Sequence, residues 1–551
     1  MGCNMKIVHK KLVFIIFIFV LTLSLSGIFI YNHFNVDIDK VLESEEYSYL
    51  PDEAKEYVKD AFEATGKVIP TEKNKKDNQA YLNPSYINYL QLSSAERNNV
   101  SNIPDPYTID YDYRKFETDL VLPSSYDLRN HNGKNFVGPM KNQSTTGLCW
   151  AFTAGEQVES LLLKNSNSEY VEGQSQLFSV RQFDYATSNN GIYRYDNING
   201  YRQLGAGGNF LMAGVALSNG IALTDDKMLP FDTSYPARFL EDIMGYESKS
   251  LYEANTTVSI PSFNYDSDYT EEDFKYYIDV IKSYVYSYGG AYVGTESPQG
   301  SCGSFNVDGS AIIRVDDSCT ENSGHAMHVI GWDDNYTYQY CKTGSSHSSN
   351  VASCSSSNLV TGKGAWLLKN SWGTDTNPGY QYLYLAYDSL NSTFGITTEI
   401  EKLSERTWDN NYHDNFFASG NGYVVTSDYE NHTKEFSGNE KLEKVKFLSY
   451  AVDGSYRLNV IVGTNVYSNI MTVETDFPGV HTFDLSEQNI VIDSDTFKVQ
   501  VLGINSSSTL VSGTVSSFTS NMDETIQSKT DDVTVDKIYT NDENTHYEIT
   551  L

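Results

Sequence analysis

Basic charge is scarce in this chain: 39 Lys and Arg stand against 72 Asp and Glu over 551 residues, for a net charge of −33. Phosphate binding needs basic surface, so nucleic acid is excluded as a partner. Cysteine is sparse too. Six in all cannot build a dense disulfide scaffold, so each has to be weighed by itself. No fixed-period repeat runs through the sequence, which argues against solenoid architectures. What is plentiful is apolar material, 40% of residues against 20% charged, ample for folded cores. The 42 Tyr and 26 Phe favour β-rich, aromatic-lined surfaces. At roughly 150 residues per domain, the length accommodates three or four units.

Residues 12–31, LVFIIFIFVLTLSLSGIFIY, form a run long enough to cross a bilayer. Lys6, Lys10 and Lys11 precede it, and Asp37, Asp39, Glu43, Glu45 and Glu46 follow it. That asymmetry places the start inside and everything downstream outside, in a compartment that tolerates disulfides. Two fates are open: a retained anchor holding the protein to the membrane, or a signal peptide cut after Ser26, where Ser24 and Ser26 supply small residues. Cys3 belongs to this discarded or cytosolic end.

Organisation then changes three times. Residues 36–121 are charged and rich in Asn and Tyr, with Pro-marked turns at Pro84, Pro104 and Pro106, and contain little that forms a core alone. From Leu122 to about Lys402 the texture is that of a compact domain, helices first and strands later. The Ser-rich stretch 343–358 reads as an inserted loop. Beyond, from 403 to 551, alternation dominates. Tyr456, Leu458, Val460 and Val462 share one strand face, with Arg457 and Asn459 opposite; Phe497, Val499 and Val501 repeat the pattern against Lys498 and Gln500. Period-two runs between Gly, Asn and Asp turns predict an antiparallel β-sandwich.

Chemistry concentrates in three segments. After Cys149, the residues Ala151, Ala154, Val158, Leu161 and Leu162 recur at helical spacing, which places Cys149 at a helix start. There the positive dipole end favours a thiolate. The segment Gly324-His325-Ala326-Met327-His328 is strand-like and presents an imidazole, and Trp366 through Gly373 ends a strand in the amide of Asn370. A thiol, a base and a group that orients the base are what nucleophilic acyl transfer needs. His325 and His328 are three apart, so a strand turns them to opposite faces and only one meets Cys149.

These segments, Gln143 through Trp150, His325 through Trp332 and Asn370 through Gly373, resemble the marks of the papain-like cysteine peptidases. The resemblance spans about 122–400. It implies an α+β fold, a two-lobed peptidase with a helical lobe and a β-barrel-like lobe, followed here by the all-β sandwich. It makes Cys149 the nucleophile and His325 its base. Asn370 would orient that base, and Gln143 would be an oxyanion donor acting with the Cys149 N–H. Trp372 would shield the His325–Asn370 bond from water and border the substrate site. Gly207 and Gly208 resemble the segment along which an extended substrate pairs. Residues 36–121 take the place of an inhibitory pro-segment, chiefly from Leu82 to Lys115, a spacer being the alternative.

Departures accompany the match. The family's second Cys, three positions before the nucleophile, is Thr146 here, so its disulfide is absent. The intervals from Cys149 to His325 and Asn370 exceed the roughly 130–150 residues typical of the family. Cys302, Cys319, Cys341 and Cys354 remain; sequential pairing would close two inserted loops, though three connectivities are open, and a zinc site of Cys341, His347 and Cys354 is a minor alternative. The 403–551 region resembles the lectin-like domain of clostridial surface cysteine proteases, which implies attachment to cell-wall glycan or a surface-layer protein. A Ca²⁺ ion there has no assigned site, since no compact calcium loop stands out; no cofactor is otherwise expected. The sequence thus points to an exported or surface-anchored cysteine endopeptidase made as a zymogen and acting on proteins or peptides. A surface transpeptidase with the same triad, or an adhesin with an inactive peptidase scaffold, are the rival readings.

Overall fold

In a computed structural model, residues 1–71 and 72–551 form two separate compact units. The described residues all lie in the second. They are chiefly 81–82, 99–172, 178–188, 196–197, 200–220, 252–261, 270–295, 303–305, 311–313, 324–343, 346–348, 354–389, 397–405, 410–412, 430–433, 439–504, 517–522, 534–540 and 545–550, with short gaps. The apolar run 12–31, most of the expected pro-segment, Cys302 and Cys319 lie outside them. Among the described residues, no helix is long and apolar enough to cross a membrane.

Strand β1 (Ser125–Asp127) leads to helices α1 (Cys149–Asn165), α2 (Val180–Ala186) and α3 (Phe210–Ser218). Strand β2 (Tyr252–Ile260) and helix α4 (Glu271–Ser287) follow, then β3 (Ala291–Thr295), β4 (His325–Thr343), β5 (Leu359–Lys369), β6 (Tyr382–Ala386) and β7 (Thr397–Glu405). Helix α4 starts on a capping box between Thr270 and Asp273, which satisfies amides the first turn leaves unpaired. The six longer strands order as β2-β7-β3-β4-β5-β6, and β1 adds to β4. This mixed α and β layout matches the expected α+β class; among the described residues the sheet does not close into a barrel. Its outer strand β2 is covered from outside: Ser259 N–H donates to Pro478 O, which occupies an edge that would otherwise seek a partner. Met327, Val329, Ile330, Trp332, Trp366 and Leu368 pack against Tyr277, Ile281 and Val285 of α4 in one core.

The Ser-rich insertion extends the β4–β5 arm. Cys341 and Cys354 are disulfide-bonded, with Cα atoms 5.6 Å apart. Both sulfurs are therefore committed, which removes the zinc alternative with His347.

The second layer pair comprises β8 (Asn410–Tyr412), β9 (Glu430–Thr433), β10 (Glu440–Ser449), β11 (Gly454–Val462), β12 (Asn465–Thr475), β13 (Gly479–Asp484), β14 (Thr496–Gly503) and β15 (Ser517–Met522). They order as β8-β15-β10-β13 and β9-β14-β11-β12, all antiparallel. Tyr456, Leu458, Val460, Val462, Phe497, Val499 and Val501 are all buried between the sheets, as the alternation predicts. The sandwich docks on β2 through a buried charge cluster. Lys446 donates to Glu253 at 2.6 Å and to the carbonyl of Ser218 at the end of α3, and Lys444 reaches the same carboxylate.

Candidate active site

Cys149 is the first residue of α1 and fully buried. Its sulfur receives backbone N–H groups from Ala326, Trp150 and Cys149 itself, so it lies against the start of β4, where His325 sits. His325 Nε2 lies 2.8 Å from Asn370 Oδ1. The amide's orientation is fixed independently: Asn370 Nδ2 donates to Tyr380 O at 2.9 Å, and Oδ1 also accepts from Ser371 N–H. A carbonyl oxygen only accepts, so Nε2 carries the proton and the neutral ring keeps its lone pair on Nδ1. Trp372 lies over the imidazole, ring centres 5.0 Å apart. Asn370 is fully buried.

Gln143 joins this group through the backbone. Its N–H donates to Ser371 O, and Asn142 bridges Trp372. The side chain is held from both ends, Oε1 accepting from Ser371 Oγ at 2.6 Å and Nε2 donating to Thr146 O at 2.8 Å. One Nε2 hydrogen is used, and a second exists on any primary amide. His328 points elsewhere, its Nε2 2.8 Å from Gly289 O, as the odd offset predicts.

A strap crosses the site. Residues 100–105 lie on Gly207 and Gly208: Ile103 N–H donates to Gly208 O at 2.8 Å, and Gly208 N–H donates to Ser101 O at 3.3 Å. A Cβ on Gly207 would stand 2.1 Å from Val100 O, so only glycine lets the two backbones approach. Asn102 Oδ1 accepts from the Tyr292 hydroxyl, and that buried tyrosine also lies near Cys149 and Asp105.

In this buried setting the local expectation reverses. Burial pushes the Cys149 thiol up to about 12, against the lowering pull of its three amides. Burial likewise holds His325 down at about 4, although the bond to Asn370 pulls it upward. The helix start alone favoured a thiolate; the closed site keeps a neutral thiol beside a neutral imidazole. Opened to water, the same atoms can pass a proton from sulfur to Nδ1 and offer the sulfur as a nucleophile. Among the described residues, no cluster of metal-binding side chains occurs. Sequence reasoning passed over Ser371, Tyr380 and Tyr292, and also Asp184 and Arg202 beneath the glycine segment.

Comparison with known proteins bears on the fold. The papain family cysteine protease model matches residues 122–199. The solved cysteine protease and lectin-like domains of Cwp84, a surface layer associated protein of Clostridium difficile, superpose with a TM-score of 0.54 at 17% identity, covering 78% of this chain and 87% of that one. The fold is papain-like. A second structure of the same clostridial protease, after propeptide cleavage, gives a TM-score of 0.50 at 15% identity over 72% of this chain and 87% of that one. Cathepsin S of Rattus norvegicus is 25% identical over 260 residues, 47% of this chain and 59% of the relative. Cathepsin S of Mus musculus is similar, 25% over 273 residues. The chain thus spans about three fifths of the length of the curated relatives it matches.

Proposed function

We propose that the papain-like domain is a cysteine endopeptidase, exported to the cell surface and made as a zymogen, and that the strap over Gly207 and Gly208 is its inhibitory segment. The observation that carries the reading is the His325–Asn370 bond beside a thiol at a helix start, with the tautomer set so that Nδ1 is left for the sulfur. Once the strap leaves, His325 takes the Cys149 proton and the thiolate attacks the substrate carbonyl. The oxyanion accepts hydrogen bonds from the Cys149 N–H and the second Nε2 hydrogen of Gln143. The C–N bond breaks as His325 protonates the leaving amine, and water, deprotonated by His325, hydrolyses the thioester. An extended substrate takes the strap's place along Gly208. Attachment to the surface is assigned to the sandwich, with glycan or surface-layer protein as its partner; this rests on the likeness to the clostridial domain.

The test is cleavage of casein, and of the chain's own strap, by full-length Cys149→Ala and His325→Ala variants. Each is expected to lose about a thousandfold or more in kcat/KM. Retained cleavage by either variant sinks the mechanism. A product joined to an added amine, seen by mass spectrometry, would show transpeptidation instead of hydrolysis.

A further inference from the structure

Beneath the glycine segment lies a charge pair that the chemistry above does not use. Asp184, on α2, and Arg202 are both fully buried, with Arg202 Nη2 2.6 Å from Asp184 Oδ1. The rest of the guanidinium is also engaged: Nη2 donates to Asp184 O and Thr187 Oγ1, Nε to Thr187 O, and Nη1 to Ala206 O at 2.8 Å. The carboxylate in turn receives the Gly205 N–H, at 3.0 and 3.1 Å from its two oxygens. The guanidinium stacks 5.1 Å from the Trp150 ring, and Trp150 Nε1 donates to the same Ala206 carbonyl. Two residues on, a Cβ on Gly208 would touch that ring. Fixed planar forks of this kind lose little freedom per bond formed.

The turn 203–206 and the stretch Gly207–Gly208 are thereby joined to the residue after the proposed nucleophile. One direct backbone bond, Gly147 N–H to Gly205 O at 2.8 Å, runs alongside. No covalent link is present, although the geometry would admit one. A Cβ built on Gly205 lies 3.8 Å from Thr146 Cβ, the usual separation across a disulfide. Thr146 and Gly205 cannot form it.

We infer that Arg202 and Asp184 are positioning residues: a non-covalent, reductant-insensitive clamp that sets the height of the Gly207–Gly208 rail against Cys149 and so governs how extended peptide is gripped. The inference rests on the peptidase reading for its functional consequence, but its structural content is independent of it.

The test uses the full chain, processed to release the strap, with Arg202→Met and Arg202→Lys. Breaking the pair by one truncation leaves a buried carboxylate, so Arg202→Met/Asp184→Asn is measured beside them to separate clamp loss from misfolding. Three readouts are taken per titrated thiol: kcat and KM on a peptide substrate, the rate of Cys149 alkylation by iodoacetamide, and hydrogen exchange of amides 203–208. All three variants should raise KM about tenfold, equal to about 1.4 kcal/mol of lost binding, with alkylation within about twofold of wild type. Exchange of amides 203–208 should quicken. Thr146→Cys/Gly205→Cys added to Arg202→Met, once oxidised, should restore both KM and exchange protection, despite the cost of a Cβ at the Gly205 φ of +73°. Unchanged KM and exchange, an equal fall in kcat and alkylation, or no rescue by the oxidised pair would overturn the clamp. If wild type turns over no peptide, the peptidase reading has failed and hydrogen exchange alone decides the clamp.

Discussion

Loosening the strap should wake the thiol, and the size of the effect follows from the structure. In the closed form burial raises Cys149 from its ordinary 9.0 to about 12. The thiolate fraction at pH 7 then falls from about one in a hundred to about one in a hundred thousand. With residues 100–105 read as the cover over this thiol, alkylation of the full chain at neutral pH should proceed through the small population with the strap lifted. Asn102→Ala/Ile103→Pro removes the Tyr292 contact and the amide that donates to Gly208 O. At about 1 kcal/mol net for each bond, the lifted population should rise roughly thirtyfold. Iodoacetamide labelling of Cys149, followed by peptide mass spectrometry across pH 5 to 10, measures it. The sign is fixed: a raised thiol reacts only as pH climbs, so the unprocessed chain should gain rate late, and the processed one should inflect at markedly lower pH. Coincident pH profiles before and after processing, or a double variant that labels no faster than wild type, would refute the reasoning.

Other consequences can be measured on the same protein. Asp105 is buried in the strap with Oδ1 unpartnered among the described residues, and burial raises it to about 7; Asp105→Asn should tighten the strap and slow Cys149 labelling at pH 8 by about tenfold or more. Glu253→Gln strips Lys444 and Lys446 of their shared carboxylate. With a buried ammonium left uncompensated, it should cost about 3–5 kcal/mol, read as a lower urea midpoint; an unchanged midpoint would mean that the cluster does not hold the sandwich. Burial keeps His325 and His481 at about 4 and His328 at about 3. The unfolded chain binds those protons first, near 6.5, so stability from the neutral rings is intact above that pH and drains toward pH 4 at about 1.4 kcal/mol per unit for each ring. Urea midpoints that stay flat between pH 7 and 5 would contradict this.

Local periodicity made several parts of the structure readable. The helical recurrence after Cys149, the opposed faces of His325 and His328, and the inward Tyr456, Leu458, Val460 and Val462 each depend on neighbours within a few positions. The contacts that escaped the sequence join residues far apart. Glu253 and Lys446 lie on different layers, and nothing near either residue announces that it is buried with an opposite charge. Asp184 sits in a helix that also carries Arg181, and only the fold reveals that its partner is Arg202. The cover on β2 is likewise distant in sequence, since Pro478, which accepts from Ser259, comes from a later stretch of chain.

The state of the thiol shows how a local effect loses to a distant one. A helix start favours a nearby negative charge by about 0.3–1 kcal/mol, and by about 2 kcal/mol in partly buried settings. Raising the thiol from 9.0 to about 12 corresponds to about 4 kcal/mol against the thiolate. Desolvation therefore wins in this structure, and Cys149 and His325 rest as a neutral pair. Sterically, the strap lies along Gly208; on the proposed reading it also withholds the water that an ion pair needs. On the proposed reading, removing that one segment would end both forms of inhibition together. For that reason, a variant that merely blocks peptide binding should not reproduce the strap's effect on iodoacetamide, a reagent too small to need the rail.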